Sequence, residues 1–202
     1  MQVEGSDYRT VWMEQGAVCL IEQNLLPFEF RIFRAEDYRD TCMAIATMIV
    51  RGAGAIGATA GFAMAQAYLE NGSDPAFVET ARQAIKNTRP TAQNLFYAVE
   101  RVYKAGKASV AQAVIEAQQI ADEDVDACRR IGELGNTLIQ DSCNIETHCN
   151  AGWLAFVDYG SALSPVYTAH RAGKQVFVYV DERKADAGKL YCAPSFASYR
   201  FV

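Results

Sequence analysis

The chain has 202 residues, 50% of them hydrophobic and 21% charged, with a formal net charge of -5; that is enough apolar material for one large domain or two small ones. The acidic balance and the lack of any Lys/Arg run exclude the electrostatic footprint of a nucleic-acid or anionic-membrane binder, while leaving room for a small anion held by one or two arginines. No window reaches the roughly 20 apolar residues of a membrane span, Met1 to Trp12 is neither a secretory nor a lipidation signal, and six cysteines without CxxC or a paired-histidine spacing read as reduced thiols of a cytoplasmic protein, with no metal site.

From Ala35 to Val50, Cys42, Ile45, Met48 and Ile49 recur at helical spacing, and the pattern stops at Arg51-Gly52-Ala53-Gly54. A second helix, rich in Ala and Gly, is predicted from about Ala55 to Leu69; its small side chains allow neighbours and a ligand close to the backbone. Ser73-Asp74-Pro75 supplies an N-cap and a proline near N1 for a third helix carrying Phe77, Val78, Ala81 and Ile85. Arg89-Pro90-Thr91 interrupts the pattern, because the residue before proline avoids the α region, and Leu95, Val99 and Val102 mark a fourth helix up to Gly106. Ser109 caps a long helix with Val110, Val114, Ala117 and Ala121; its charged run Asp122 to Arg130 reads as a solvated face, and helix continues over Ile131 to Ile139.

Asp141-Ser142 turns into a short strand, Asn144 to Cys149, where Ile145 and Thr147 favour a pleat and a Gly-rich stretch follows. Ala162 to Ala172 reads as a helix ended by Gly173, and Gln175 to Val180 as an apolar β-branched strand ending at Asp181-Glu182. Strand, helix, strand is one βαβ unit with parallel strands. The expected fold class is α/β: an all-helical first part over residues 1–125, then an incomplete parallel α/β part over residues 126–202. Two strands are too few for a covered sheet, and the tail from Ala185 to Val202 shows no period.

Three places could carry chemistry. Arg51-Gly52-Ala53-Gly54-Ala55-Ile56-Gly57 lies between two helices, where backbone N–H groups and a guanidinium could hold a phosphate. It lacks the Gly-Lys-Ser/Thr of a Walker loop and follows a helix, so it is not a dinucleotide fingerprint; the plain alternative is a tight turn with a surface arginine. Arg89 offers a second cation at a helix start, or is a surface residue. Cys149 sits at the carboxyl end of a strand, where open α/β sheets bind ligands. It could be a nucleophile or proton carrier, or a buried inert thiol. His148, one residue away on a pleated strand, points to the other face and is not its expected partner, whereas Asp181 could face the same crevice.

Taken together and in order, Arg51-Gly52-Ala53-Gly54-Ala55-Ile56-Gly57, Arg89-Pro90-Thr91-Ala92-Gln93-Asn94-Leu95, Thr147-His148-Cys149-Asn150-Ala151-Gly152 and Asp181-Glu182 resemble the methylthioribose-1-phosphate isomerase family. Gln23-Asn24-Leu25-Leu26-Pro27 is similar to that family's early Asp-Gln-x-x-Leu-Pro segment. The resemblance implies a helical N-terminal domain followed by a Rossmann-like domain, and a cofactor-free aldose–ketose isomerase of a sugar 1-phosphate. It implies that Arg51, Gly52, Ala53 and Arg89 bind substrate, that Cys149 is the catalytic cysteine, and that the partner is a small sugar phosphate, with a homodimer or a complementing C-terminal polypeptide. Gly54 stands where the family usually has proline, and Arg-Gly-Ala-Gly is closer to ribose-1,5-bisphosphate isomerases; Cys149-Asn150-Ala151-Gly152 favours the methylthioribose branch or a deoxyribose-phosphate relative. The same fold serves regulatory subunits of a translation-initiation exchange factor, which have no physical need for Arg51, Arg89 and Cys149 together.

The family continues beyond Asp-Glu-Thr-Arg-Pro to complete its sheet and supply a catalytic aspartate. Here Asp181-Glu182-Arg183-Lys184 leads to Leu190-Tyr191-Cys192-Ala193, and no residue matches that aspartate. The expectation is a C-terminally truncated chain, from a one-base frameshift turning Leu-Thr-Ala into Leu-Tyr-Cys-Ala or from a split enzyme.

Overall fold

The computed structural model describes residues 1–3, 5–181 and 199–200. A short hairpin, β1 (Gln2–Val3) and β2 (Ser6–Asp7), precedes an antiparallel sheet of β3 (Val11–Glu14), β4 (Ala17–Ile21) and β5 (Ile32–Ala35), ordered β3-β4-β5. Glu14 pairs with Ala17 across Gln15 and Gly16, both at positive φ, as a two-residue hairpin turn requires. The first part is therefore not all helical. These strands hide in the sequence because β4, Ala-Val-Cys-Leu-Ile, is buried along its whole length and shows no alternation.

Five helices follow: α1 (Tyr38–Ala46), α2 (Ala53–Asn71), α3 (Pro75–Asn87), α4 (Gln93–Gly106) and α5 (Val110–Asn136). Asp37 caps α1, Asp74 caps α3 with Pro75 in its first turn, and the Ser109 hydroxyl caps α5 by accepting from the Gln112 N–H. Every residue of α2 from Gly54 to Tyr68 is buried, because a helix that is apolar and small all round can be covered on every side. Gly61 lets α4 and α5 approach with Ala98, Val102 and Ile120, and Phe62 and Met64 share one core with Leu20, Ile45 and Leu95. Gln66 is the long polar side chain at this depth, and it is satisfied. Its Oε1 accepts from Thr41 Oγ1 at 2.6 Å, and its Nε2 donates to the carbonyls of Ala35 (3.0 Å) and Gly16 (3.2 Å).

Helix α5 runs through residue 125 unbroken, and its C-terminal half carries a second packing unit. Here β6 (Cys143–His148), a 3-10 turn (Trp153–Ala155), α6 (Ser164–Arg171) and β7 (Val176–Asp181) form the expected βαβ unit, with Cys143 opposite Val176 and His148 opposite Asp181 in a parallel pair. A further strand, β8 (Tyr199–Arg200), pairs antiparallel with β7. Leu163, Val166, Tyr167, Val176 and Val178 make a small separate core. Helix α6 packs on α5 where Gly132 and Gly135 admit Ser164, Thr168 and Pro165. The architecture is thus a helical first domain joined to a partial sheet domain. The expectations for the tail, including Glu182 and Cys192, fall on residues 182–198 and 201–202, outside the described residues. Among the described residues no helix is long and apolar enough to cross a membrane.

Replacing Gln66 by leucine removes the donor from the Ala35 and Gly16 carbonyls and leaves the Thr41 hydroxyl with the Asp37 carbonyl alone. The expected loss is about 2–4 kcal/mol, seen as a lower urea midpoint at an unchanged m-value.

Candidate functional site

Between α1 and α2 the chain bends through two left-handed residues, Met48 (φ +65°) and Gly52 (φ +84°). A methionine there is uncommon and costs on the order of 1 kcal/mol or more. It brings the Met48 carbonyl and sulfur to two arginines. Arg51 Nε donates to the Met48 carbonyl at 3.1 Å, and its Nη2 donates to Asn24 Oδ1, while Asn24 Nδ2 donates to the Thr47 carbonyl at 3.1 Å. Arg89, from the turn before α4, sets Nη1 against Met48 Sδ. Arg89 forms no ion pair with a described carboxylate, whereas Arg82, Arg101 and Arg129 each pair with two. Two guanidinium groups that meet at one residue suit a phosphate ester dianion.

The next helix begins two residues earlier than its sequence pattern indicates. Gly52 is its N-cap and offers no side-chain bond, and the first helical hydrogen bond runs from the Ile56 N–H to the Gly52 carbonyl at 3.0 Å. The N–H groups of Ala53, Gly54 and Ala55 consequently have no acceptor within the helix, and they lie at its positive end beside Arg51. Both glycines are forced by close approach: a Cβ on Gly52 would overlap Ala155, and one on Gly54 would overlap Asp124 Oδ1 and the Phe156 ring.

Cys149 stands one residue beyond β6, exposed and at φ +68°. The thiol is therefore not buried. A cysteine gains nothing locally from this backbone region, and strain of that kind gathers at functional sites. His148 is exposed as well, and the pleat that would have set the two apart ends at His148. The chain then folds back, with the Ser161 N–H donating to the Ala151 carbonyl at 3.0 Å, and the 3-10 turn seals onto Gly52. The Trp153 N–H donates to the Tyr167 hydroxyl, and further bonds hold this segment down. Thr10 Oγ1 donates to the Trp153 carbonyl (3.1 Å), Gln23 Nε2 to the Leu154 carbonyl (2.8 Å) and the Thr10 N–H to the Val157 carbonyl (2.9 Å), while the Val157 N–H donates to Asp124 Oδ2 (2.7 Å).

Arg51, Gly52, Ala53 and Arg89 thus share one corner, and Cys149 heads the segment whose Ala155 closes on it. The Asp181 backbone lies opposite His148 at the same carboxyl end of the sheet. Three contributors went unread in the sequence: Asn24, Met48 and Asp124. The run Asp122 to Arg130 is not wholly a solvated face, because Asp124 and Cys128 turn inward. Their signal is the helical stripe Ala117, Ala121, Asp124, Cys128, which the charges around it conceal. Burial pushes the Asp124 carboxyl above its ordinary range, opposed by the Val157 N–H. It pushes the Cys128 thiol up to about 12, with Asp124 and Asp158 adding to the effect. Among the described residues no group of three or more His, Cys, Asp or Glu could hold a metal ion.

The model of the Initiation factor 2 subunit family matches residues 49–190. The chain is 44% identical over 198 residues to a methylthioribose-1-phosphate isomerase of Methylorubrum populi and 45% identical over 197 residues to one of Methylobacterium nodulans, covering 91% of this chain and 54% of each relative. Among solved structures, 5-methylthioribose 1-phosphate isomerase from Pyrococcus horikoshii OT3 matches with a TM-score of 0.76 at 40% identity, over 84% of this chain and 51% of that one. Translation initiation factor eIF-2B, subunit delta, from A. fulgidus matches with a TM-score of 0.75 at 32% identity, over 92% and 58%. The chain spans about half the length of the curated relatives it matches.

Gly52→Ala combines a disfavoured φ with an overlap on Ala155, and is expected to destabilise the protein by about 2–4 kcal/mol in urea unfolding. Asp124→Asn behaves oppositely. The folded state favours protonated Asp124, so that contribution is present at low pH and lost as pH rises through the raised value. Asparagine removes the charge and keeps an acceptor for Val157. Thermal melts should show Asp124→Asn at least as stable as the parent at pH 7, with any gain shrinking toward pH 4; a gain that grows toward pH 4 would contradict this.

Proposed function

The chain belongs to the initiation factor 2 subunit family, and on that premise we propose that it is the phosphate-holding part of an aldose–ketose isomerase converting S-methyl-5-thioribose 1-phosphate to S-methyl-5-thioribulose 1-phosphate. The observation that carries this reading is the corner where Arg51 and Arg89 meet Met48 at the start of α2, sealed by the segment that follows Cys149. Arg51, Arg89 and the backbone of Gly52 and Ala53 bind the phosphate. Cys149 serves the sugar carbons next to it.

The chemistry asks for few parts. A phosphate on the anomeric oxygen blocks spontaneous ring opening, so an acid must protonate the ring oxygen as its bond to C1 breaks. Hydrogen then moves from C2 to C1, as a proton through an enediol or as a hydride. C1 is reduced as C2 is oxidised, so the electrons balance within the substrate and no cofactor is needed. We assign the helical domain to residues 1–125 and the start of the Rossmann-like domain to residues 126–202. As the active assembly we propose a homodimer or a complementing C-terminal polypeptide. Free thiols at Cys19, Cys42, Cys128, Cys143 and Cys149 support the cytoplasm as its location.

A second reading, a non-catalytic regulatory relative, is supported by the match to the eIF-2B delta subunit. Substrate specificity for ribose 1,5-bisphosphate, favoured by Arg51-Gly52-Ala53-Gly54, or for deoxyribose 1-phosphate, compatible with Cys149-Asn150-Ala151-Gly152, is a variant of the first reading.

The test is NMR-monitored turnover of methylthioribose 1-phosphate by the purified chain. Turnover is expected to fall by about 100-fold or more in Cys149→Ser, while Arg51→Ala and Arg89→Ala chiefly raise KM. Binding without turnover in a folded sample would identify a half-site that needs the complementing polypeptide. A folded chain that neither binds nor converts the sugar phosphate would favour the regulatory reading.

A further inference from the structure

We propose that Asp124 is a positioning residue that locks the first turn of α2 to the segment following Cys149, and so fixes the phosphate corner relative to the reactive thiol. The role in turnover rests on the isomerase reading; the mechanical coupling does not.

Asp124 touches both halves of the site. Its Oδ2 accepts the Val157 N–H at 2.7 Å, and its Oδ1 lies so close to Gly54 that a Cβ at that position would overlap it. The same absent Cβ would overlap Phe156, so residues 54, 124 and 156 form one three-way contact. Two residues earlier, Gly52 is wedged on Ala155. Any movement of segment 155–157 therefore pushes on the two residues that set the direction of the α2 N–H groups and of Arg51. Of the bonds that hold residues 153–157, three come from Thr10 and Gln23 in the N-terminal sheet region, one joins Trp153 to Tyr167 on α6, and one comes from Asp124 on α5. Asp124 is the member of that set lying between α2 and the segment. An inward carboxylate is costly to bury and is raised in pKa for that reason, and the bond to Val157 offsets part of the cost. A site that needed only to fill space would do so more cheaply with alanine, the residue at positions 117 and 121 of the same stripe.

Amide hydrogen exchange on the full chain, without ligand, is the first test. Asp124→Ala should accelerate exchange about tenfold at Val157 and also at Ile56, whose N–H closes the first turn of α2, with α4 unchanged. Asp124→Asn should restore both sites, and Asp126→Ala, two residues away on the exposed side, should move neither. Acceleration at Val157 alone would overturn the proposal, because Asp124 would then be a local tether. If Asp124→Ala does not fold, Gly54→Ala replaces it, since its Cβ must displace the carboxylate; an unchanged Val157 amide in Gly54→Ala overturns the proposal equally. In turnover of methylthioribose 1-phosphate, Asp124→Ala should lower kcat about tenfold with KM within about twofold, and Asp124→Asn should recover it. Wild-type kcat in Asp124→Ala refutes the positioning role. Should the wild-type chain bind the sugar phosphate without turnover, or neither bind nor convert it, the half-site and regulatory readings above are separated by that result, and the exchange experiment alone decides the coupling.

Discussion

Close approach at Gly52, against the Ala155 backbone, and at Gly54, against the Asp124 carboxylate and the Phe156 ring, is the constraint on which the molecule turns. Side chains can repack around most contacts, but two α-carbons that admit no Cβ against Ala155, Phe156 and Asp124 leave one solution. The first turn of α2 is thereby fixed against a segment that belongs, by sequence, to the βαβ unit. Arg51 takes its direction from that turn and from the left-handed Met48 before it. The segment in turn is held by Thr10, Gln23 and Asp124, so three distant stretches of chain converge on a few residues. The two packing units meet here as well as through the shared helix α5.

The charge distribution complements this geometry. The carboxylates of α3, α4 and α5 largely pair among themselves, with Arg82 between Glu79 and Glu100 and Arg101 between Glu116 and Glu123. Such partly exposed pairs add little stability, on the order of 1 kcal/mol or less each. They do keep negative charge matched along the helical flank, so that an acidic protein can retain a positive corner between α1 and α2. The thiols divide in a similar way. Burial holds Cys42 and Cys128 up at about 12 and therefore as neutral thiols, whereas Cys149 alone is exposed among the described cysteines.

Much of this was legible in the sequence, for physical reasons. Helix caps at Asp74 and Ser109, the stop at Gly173 and the βαβ order rest on local chemistry that the tertiary structure did not override. The four motifs carry the corner and the cysteine because their ordered combination resembles one family. What remained hidden depended on contacts between remote residues. The β3-β4-β5 sheet is buried where a half-exposed strand would alternate, the inward turn of Asp124 is masked by charged neighbours, and the φ of Met48 and Cys149 is imposed by packing that no local pattern encodes. Asn24 lay within a recognised segment, yet its bond to Arg51 spans 27 residues of sequence.

Helix α2 raises a problem of its own. Much of its surface is alanine and glycine, so that beyond the close contacts of Gly52 and Gly54 and the buried Phe62 and Met64 little opposes a slide along its axis by a turn, about 5.4 Å. Gln66 removes that freedom, because its amide fits only where Thr41, Ala35 and Gly16 present their complementary groups. Lying 14 residues from Gly52, and so about 21 Å along the helix, it acts as a dowel that sets axial registration. The longitudinal placement of the phosphate corner is in this sense decided at the opposite end of the domain, by an amide in contact with the N-terminal sheet.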